Sequence, residues 1–262
     1  MSQTSAKVSI GVAAGIGPAR IARLAPRIEA AGFHGLWVND TPGHDALAAL
    51  AAAGRATTGL TLATGVLPVD RRPAADIVDR VVELGLDTCL DRVVLGLGSG
   101  QLRTGAVDAV ARATAELRVA LPGARIVVGA LGPRMRRRGA AASNGLLLSW
   151  LTPDLARAQA DEAHAIAPAA HVALYVRTTM DAAARAHLHD EAARYAAFPA
   201  YAANFARLGI EVGETVIEAE EAGARIAAYR AAVDEVVLRI VTASDDADAD
   251  DAFVAAAAAH AD

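Results

Sequence analysis

One pattern constrains this chain more than any other: short β-like runs alternate with amphipathic helical stretches from one end to the other. Val8 to Ala13, Leu36 to Val38, Leu60 to Val66 and Arg92 to Leu97 read as strands. So do Arg125 to Val128, Leu146 to Leu151, Val172 to Thr178 and Val236 to Thr242. Each run is followed by a stretch with apolar residues at helical spacing, as at Ile21, Leu24, Ala25 and Ile28. Pro18, Pro133 and Pro153 sit where a first helical turn accepts proline, and Asp45 stands where it can cap a helix over Ala46 to Ala56. Helices are also expected over 73–84, 106–120, 182–208 with a break at Pro199, 214–231, and 245–259 with Ser244 as cap. Strict β–α alternation implies a parallel sheet. Eight units in 262 residues match an α/β (β/α)8 TIM barrel, with an open doubly wound sheet as the rival. No composition break or linker is apparent, so 1–262 is read as one domain.

Composition removes several function classes. Net charge is −5, which argues against a general nucleic-acid surface. Cys89 is the only cysteine, so neither a disulfide nor a cysteine-based metal site is expected. No apolar run reaches the ~18 residues of a membrane span, and the reading is a cytoplasmic protein. Lys7 is the only lysine and precedes the first strand, which leaves a Schiff-base enzyme and a P-loop without their lysine. His187 and His189 are two apart on an expected helix, point in different directions, and are not read as metal ligands. No metal site is expected.

In such a barrel the chemistry lies just beyond the C-terminal ends of the strands. Those positions here are mostly glycine and small residues, with Ser99 after the fourth strand and Trp150 after the sixth. A mouth of bare backbone suits a large anionic coenzyme that carries its own chemistry. Ala130-Leu131-Gly132, followed by Pro133 and Arg134 at a helix start, is expected to hold its phosphate. Arg136, Arg137 and Arg138 lie on successive helix faces, so not all of them can share that task.

Four stretches carry a resemblance: GFHGLWVNDTPGHD, LTLATGVLPVDRRPAADIVDRVVEL, DRVVLGLGSG and VVGALGPRMRRRGAAASNGLLLSWLTP. Their order and spacing resemble the bacterial luciferase-like flavin monooxygenase family, and within it the branch that uses the deazaflavin coenzyme F420. The resemblance implies a (β/α)8 barrel and an oxidoreductase acting on a small organic substrate. It implies that Asn39, Asp40 and Thr41 face the coenzyme ring and that Thr64, Gly65 and Val66 form a bulge behind it. A cis peptide is expected between Gly65 and Val66. Asp40, Thr41 and His44 are the expected catalytic residues. Ser99, Ala130, Leu131, Gly132, Arg134 and Trp150 are expected along the coenzyme.

Three departures bear on the chemistry. Thr41 stands where the family often has histidine, with His44 as a substitute, and Asp91 stands where the family usually has glycine. The segment after the fourth strand is shorter than the family's covering insertion. An open site protects reactive oxygen intermediates poorly, which favours hydride transfer over oxygen activation. FMN is the alternative coenzyme, and a non-catalytic binding protein is the alternative class. The resemblance and the alanine-rich helices (Ala46, Ala48, Ala49, Ala51 to Ala53, Ala74, Ala75) lead to an expected homodimer.

Overall fold

A strand buried along its whole length must be covered on both faces, and β1 (Lys7–Ala13) is buried from Val8 through Val12, Ser9 included. The computed structural model describes residues 6–260. β1 pairs with β2 (Gly35–Asn39), which pairs with β3 (Thr61–Thr64). After a two-residue interruption, β4 (Leu67–Pro68) continues the third barrel strand. β3 and β4 both pair with β5 (Val93–Gly98), and the order runs on through β6 (Arg125–Gly129), β7 (Gly145–Ser149) and β8 (His171–Thr178). β9 (Glu235–Ile240) pairs with β8 and with β1, from Lys7 opposite Glu235 to Gly11 opposite Arg239. All pairings are parallel and the ring closes, so the open sheet is excluded.

The helices form the outer layer. They are α1 (Pro18–Ala30), α2 (Ala46–Ala56), α3 (Ala74–Glu83), α4 (Ala106–Ala120), α5 (Pro133–Ala142) and α6 (Pro153–Ile166). α7 (Arg185–Ala196) and α8 (Pro199–Leu208) follow β8, then α9 (Ala222–Arg230), and α10 (Ala247–Ala258) follows β9. Asp45 caps α2 as expected, accepting from the N–H groups of Leu47 and Ala48, a contact worth about 1 kcal/mol.

Alternation sorts the strand side chains into two cores. Ile10, Leu36, Leu62, Leu95 and Leu238 face the helices, while Trp37, Ala63, Val94, Val127, Leu147, Tyr175 and Val237 fill the barrel. At the N-terminal floor, buried Glu235 accepts from Ser9 Oγ (2.6 Å) and Trp37 Nε1 (2.7 Å) and pairs with His171 Nε2 (2.7 Å). Burial alone raises the Glu235 carboxyl, but the His171 bond and charge and the Ser9 hydroxyl outweigh it and hold the carboxyl at about 2.

Four local expectations are corrected. Residues 214–231 are not one helix: Val216 and Ile217 are buried, and Ile217 is extended in a bridge with Thr178. Two hydrogen bonds tie it to β8, Ile217 N–H to Arg177 O and Thr179 N–H to Ile217 O. β7 stops at Ser149 because Trp150 turns into the left-handed region at φ 59°. The cap of α10 is Asp246, which accepts from Asp248 and Ala249, and not Ser244. The alanines of α2 are consumed inside the chain: Ala46, Ala49, Ala51 and Ala53 are buried and α2 packs against α1.

Candidate active site at the barrel mouth

The side chains that rise around the mouth come from the last inward positions of the strands: Asn39, Val66, Arg177 and Arg239. The peptide between Gly65 and Val66 is cis, as expected. Val66 leans across the barrel wall onto β5 and β6. A Cβ on Gly98 would stand 2.4 Å from Val66 Cγ2, and one on Gly129 would stand 2.8 Å from Cγ1. Those glycines are therefore required by the bulge itself. Asn39 locks the same region: its amide donates to the Gly65 carbonyl and accepts from the Tyr175 hydroxyl at 2.8 Å. The Tyr175 ring lies across the barrel against Gly11, where a Cβ would be 2.5 Å from the hydroxyl. Burial drives the Tyr175 phenol well above its ordinary range, so it serves as a neutral donor.

Several expected residues are engaged elsewhere. The Asp40 side chain is 0% exposed and accepts from Arg72 (3.1 Å), from Arg71 (3.4 Å) and from the Ala46 N–H that opens α2 (3.2 Å). It holds two arginines and the start of α2 together. Thr64 is buried and bridges to β5, donating to Gly96 O and accepting from Gly96 N–H. The N–H of Ala130 is spent on Leu147 O. Leu131 O accepts from Arg136 and from Arg207. Arg136 is buried in an ion pair with Glu162 at 2.9 Å, while Arg137 and Arg138 are exposed. His187 and His189 bond separately, to Thr242 O and Glu218. No group of three or more metal-ligating residues occurs among the described residues.

What stays available is narrower. Gly132 is the N-cap of α5, carries no side-chain cap, and has open space where a Cβ would stand. The first ladder bond of that helix is Arg136 N–H to Gly132 O, so the N–H groups of Arg134 and Met135 precede it. Arg134 is exposed beside them. His44 is exposed on the loop after β2, its ring over Gly15 at the end of β1, and Thr41 is half-buried one turn before it. Ser99 is half-buried at the end of β5.

The sequence reading missed a charged cluster. Arg177 donates to Glu191 of α7 at 3.2 Å, and Arg239 approaches the other oxygen of the same carboxylate at 3.9 Å. Trp150 stands beside it: it is 1% exposed, and the Arg177 guanidinium lies 4.0 Å from its ring centroid. Trp150 is also the one non-glycine residue with positive φ among the described residues, a geometry that costs of order 1–3 kcal/mol and concentrates at functional sites. Helix α7 thus supplies a cover from the loop after β8, where the sequence reading considered only the loop after the fourth strand. Alternation along β8 and β9 was the available signal, since it turns Arg177 inward with Tyr175 and Arg239 inward with Val237.

Comparison with known proteins agrees with this geometry. A sequence model of the luciferase-like monooxygenase family matches residues 2–106. No curated protein sequence matches. Among solved structures, an F420-dependent secondary alcohol dehydrogenase with an F420–acetone adduct is similar over 99% of this chain and 100% of its own, at TM-score 0.73 and 16% identity. The coenzyme F420-dependent tetrahydromethanopterin reductase of Methanopyrus kandleri is similar over 97% and 98%, at 0.70 and 14%. The FMN-bound oxygenating constituent of 3,6-diketocamphane monooxygenase from Pseudomonas putida is similar over 98% of both chains, at 0.72 and 12%. The match to the luciferase-like monooxygenase model thus covers residues 2–106, and over the whole chain the solved structures share its (β/α)8 barrel fold.

Proposed function

We propose that the chain is an oxidoreductase that exchanges hydride between a deazaflavin coenzyme of the F420 type and a small organic substrate. The observation that carries this reading is the charge balance at the mouth. Arg134 has no ion-pair partner among the described residues, and Arg207 bonds only to Leu131 O and Asn204. Arg177 and Arg239 share one carboxylate, so one positive charge is in surplus there too. In a chain of net charge −5, Arg134 and Arg207 beside an uncapped helix N-terminus suit a phosphorylated coenzyme. The donor set fits: Gly132, Arg134 and Arg207 would hold the phosphate, and Val66 would back the ring.

A bound deazaflavin supplies two-electron hydride chemistry at one ring carbon. The chain supplies position. Asn39 is fixed by Tyr175 and Gly65 and keeps the bulge in register. His44, free of carboxylate partners among the described residues, is the imidazole at the rim able to carry a proton for the substrate; Thr41 positions that loop through its carbonyl bond to His44 N–H at 3.0 Å. Asp40 acts indirectly, by holding Arg71, Arg72 and the start of α2.

FMN is the second reading, favoured by the FMN-bound relative of the same fold and by a phosphate end common to both coenzymes. Titrating the purified chain with F420 and, separately, with FMN while following coenzyme fluorescence decides between them. Micromolar binding of F420 with turnover of a reduced or oxidised partner supports the proposal. Tight FMN binding alone replaces the coenzyme, binding without turnover makes the chain a carrier, and no binding of either overturns the enzyme reading. We further take residues 1–262 to work as one domain, in the cytoplasm and as a homodimer. No helix among the described residues is long and apolar enough to cross a membrane. With the α2 alanines used internally, a dimer contact would fall on the outward side of α3, where Val82 is exposed. A monomeric mass in solution would remove the dimer.

A further inference from the structure

Aromatic residues make up 4% of this chain, yet five of its ten aromatic side chains meet in one place. Trp150, Tyr195, Phe198, Tyr201 and Phe205 form a continuous set of ring contacts, with centroids 4.9 to 6.5 Å apart, between the end of β7 and the α7–α8 hairpin. The Arg177 guanidinium is stacked inside the set, 4.0 Å from Trp150 and 4.5 Å from Tyr195. An apolar core would bury such rings completely. Here Phe198 is 55% exposed and Tyr195 and Tyr201 are half-buried, so the set opens to solvent on one side.

The donors around it are short of acceptors among the described residues. Trp150 Nε1 is a buried donor without a hydrogen-bond partner. Among the described residues Arg239 makes the long 3.9 Å approach to Glu191 and a bond to its own strand's Ile240 carbonyl. Two guanidiniums therefore face one carboxylate, and a buried indole N–H faces none. A buried donor costs free energy until an acceptor satisfies it. A ligand that satisfies this set must bring oxygen acceptors and negative charge, and must offer a flat face to the rings and to Arg177.

We propose that this corner of the mouth is the substrate subsite and that it takes a planar aromatic molecule bearing an anionic oxygen, an aryl carboxylate or phenolate. Its ring packs among Tyr195, Phe198 and Tyr201. Its oxygen takes the second place on Arg239, beside Glu191. The subsite deepens the oxidoreductase reading by naming the substrate class at the same mouth, and it does not depend on which coenzyme binds there.

The test needs no coenzyme. The purified chain is titrated calorimetrically with 2-naphthoate, with the neutral 2-naphthylmethanol, and with acetate. The proposal expects 2-naphthoate to bind at least tenfold tighter than either of the others and to change tryptophan emission through Trp150. In Arg239→Met the charge preference collapses, so that naphthoate and naphthylmethanol bind within threefold of each other. Equal binding of the two naphthalenes to the wild-type chain overturns the proposal, as does an Arg239→Met variant that is folded and keeps the preference. If that variant does not fold, the wild-type comparison still decides, and Phe198→Ser at the exposed edge is expected to weaken both naphthalenes about threefold; no change there also counts against it. Failure of F420 and FMN binding in parallel titrations would remove the coenzyme reading and leave the subsite standing.

Discussion

Replacing Glu235 with glutamine removes the charge at the floor of the barrel while keeping the side chain's shape. Three partners converge on that carboxylate, Ser9, Trp37 and His171, at 2.6 to 2.7 Å. Its folded-state value of about 2, against an ordinary 4.5, measures how much the fold prefers the ionised form. Each tenfold change in proton affinity corresponds to about 1.4 kcal/mol, so the preference stabilises the folded chain by about 3 kcal/mol at neutral pH. For a chain of this length, with roughly 2 cal/mol/K of unfolding entropy per residue, Glu235→Gln lowers Tm by about 5 °C. The sign follows from which state takes the proton first. The unfolded carboxylate protonates near pH 4.5 and the folded one only near 2. The contribution is therefore complete above pH 4.5 and disappears as pH falls towards 2. Urea unfolding of wild type and Glu235→Gln, followed by tryptophan fluorescence across that range, measures the difference directly. A difference below about 1 kcal/mol at pH 7, or one that does not shrink between pH 4.5 and 2, would refute the assignment of a stabilising charge.

Other substitutions separate scaffold from site. Asp40→Ala leaves two arginines and the α2 N-terminus without their carboxylate and is expected to cost about 3–5 kcal/mol in chemical unfolding, with or without coenzyme; unchanged stability with lost activity would return Asp40 to the catalytic set. Arg134→Glu is expected to weaken F420 binding about tenfold or more by fluorescence titration while Tm stays within 1–2 °C, because the side chain is exposed and has no ion-pair partner among the described residues. Burial holds the His34 imidazole down to about 4, so between pH 6.5 and 4 the unfolded chain binds a proton that the folded chain refuses. Stability should fall across that window, and His34→Gln should flatten the fall. Arg20→Ala breaks a 2.5 Å pair with the buried carboxylate of Asp250 and is expected to cost about 2 kcal/mol and to loosen α10 first in hydrogen exchange.

The helix Ala46–Ala56 with its Asp45 cap and the start of α5 at Pro133 were legible in the sequence, because each depends on a cap or a proline a few residues away. Periodicity ran one strand through Leu60 to Val66, and only the family resemblance pointed to the interruption at Gly65–Val66. Strand and helix order followed from the same local signals, and eight such units leave few ways to bury both faces of every strand. Pairing between distant residues was not legible. Arg20 meets Asp250 and Ser9 meets Glu235 across more than 220 positions. Glu191 lies on a helix whose periodicity gives no reason to expect two arginines from neighbouring strands. Asp40 was expected at the mouth because it follows a strand, and that its carboxylate meets Arg71 and Arg72 was not legible. Periodicity reports which side of an element is buried, because burial repeats with the element's own geometry. It carries no record of which charges meet once the barrel closes, and the chemistry at the mouth is set by those meetings.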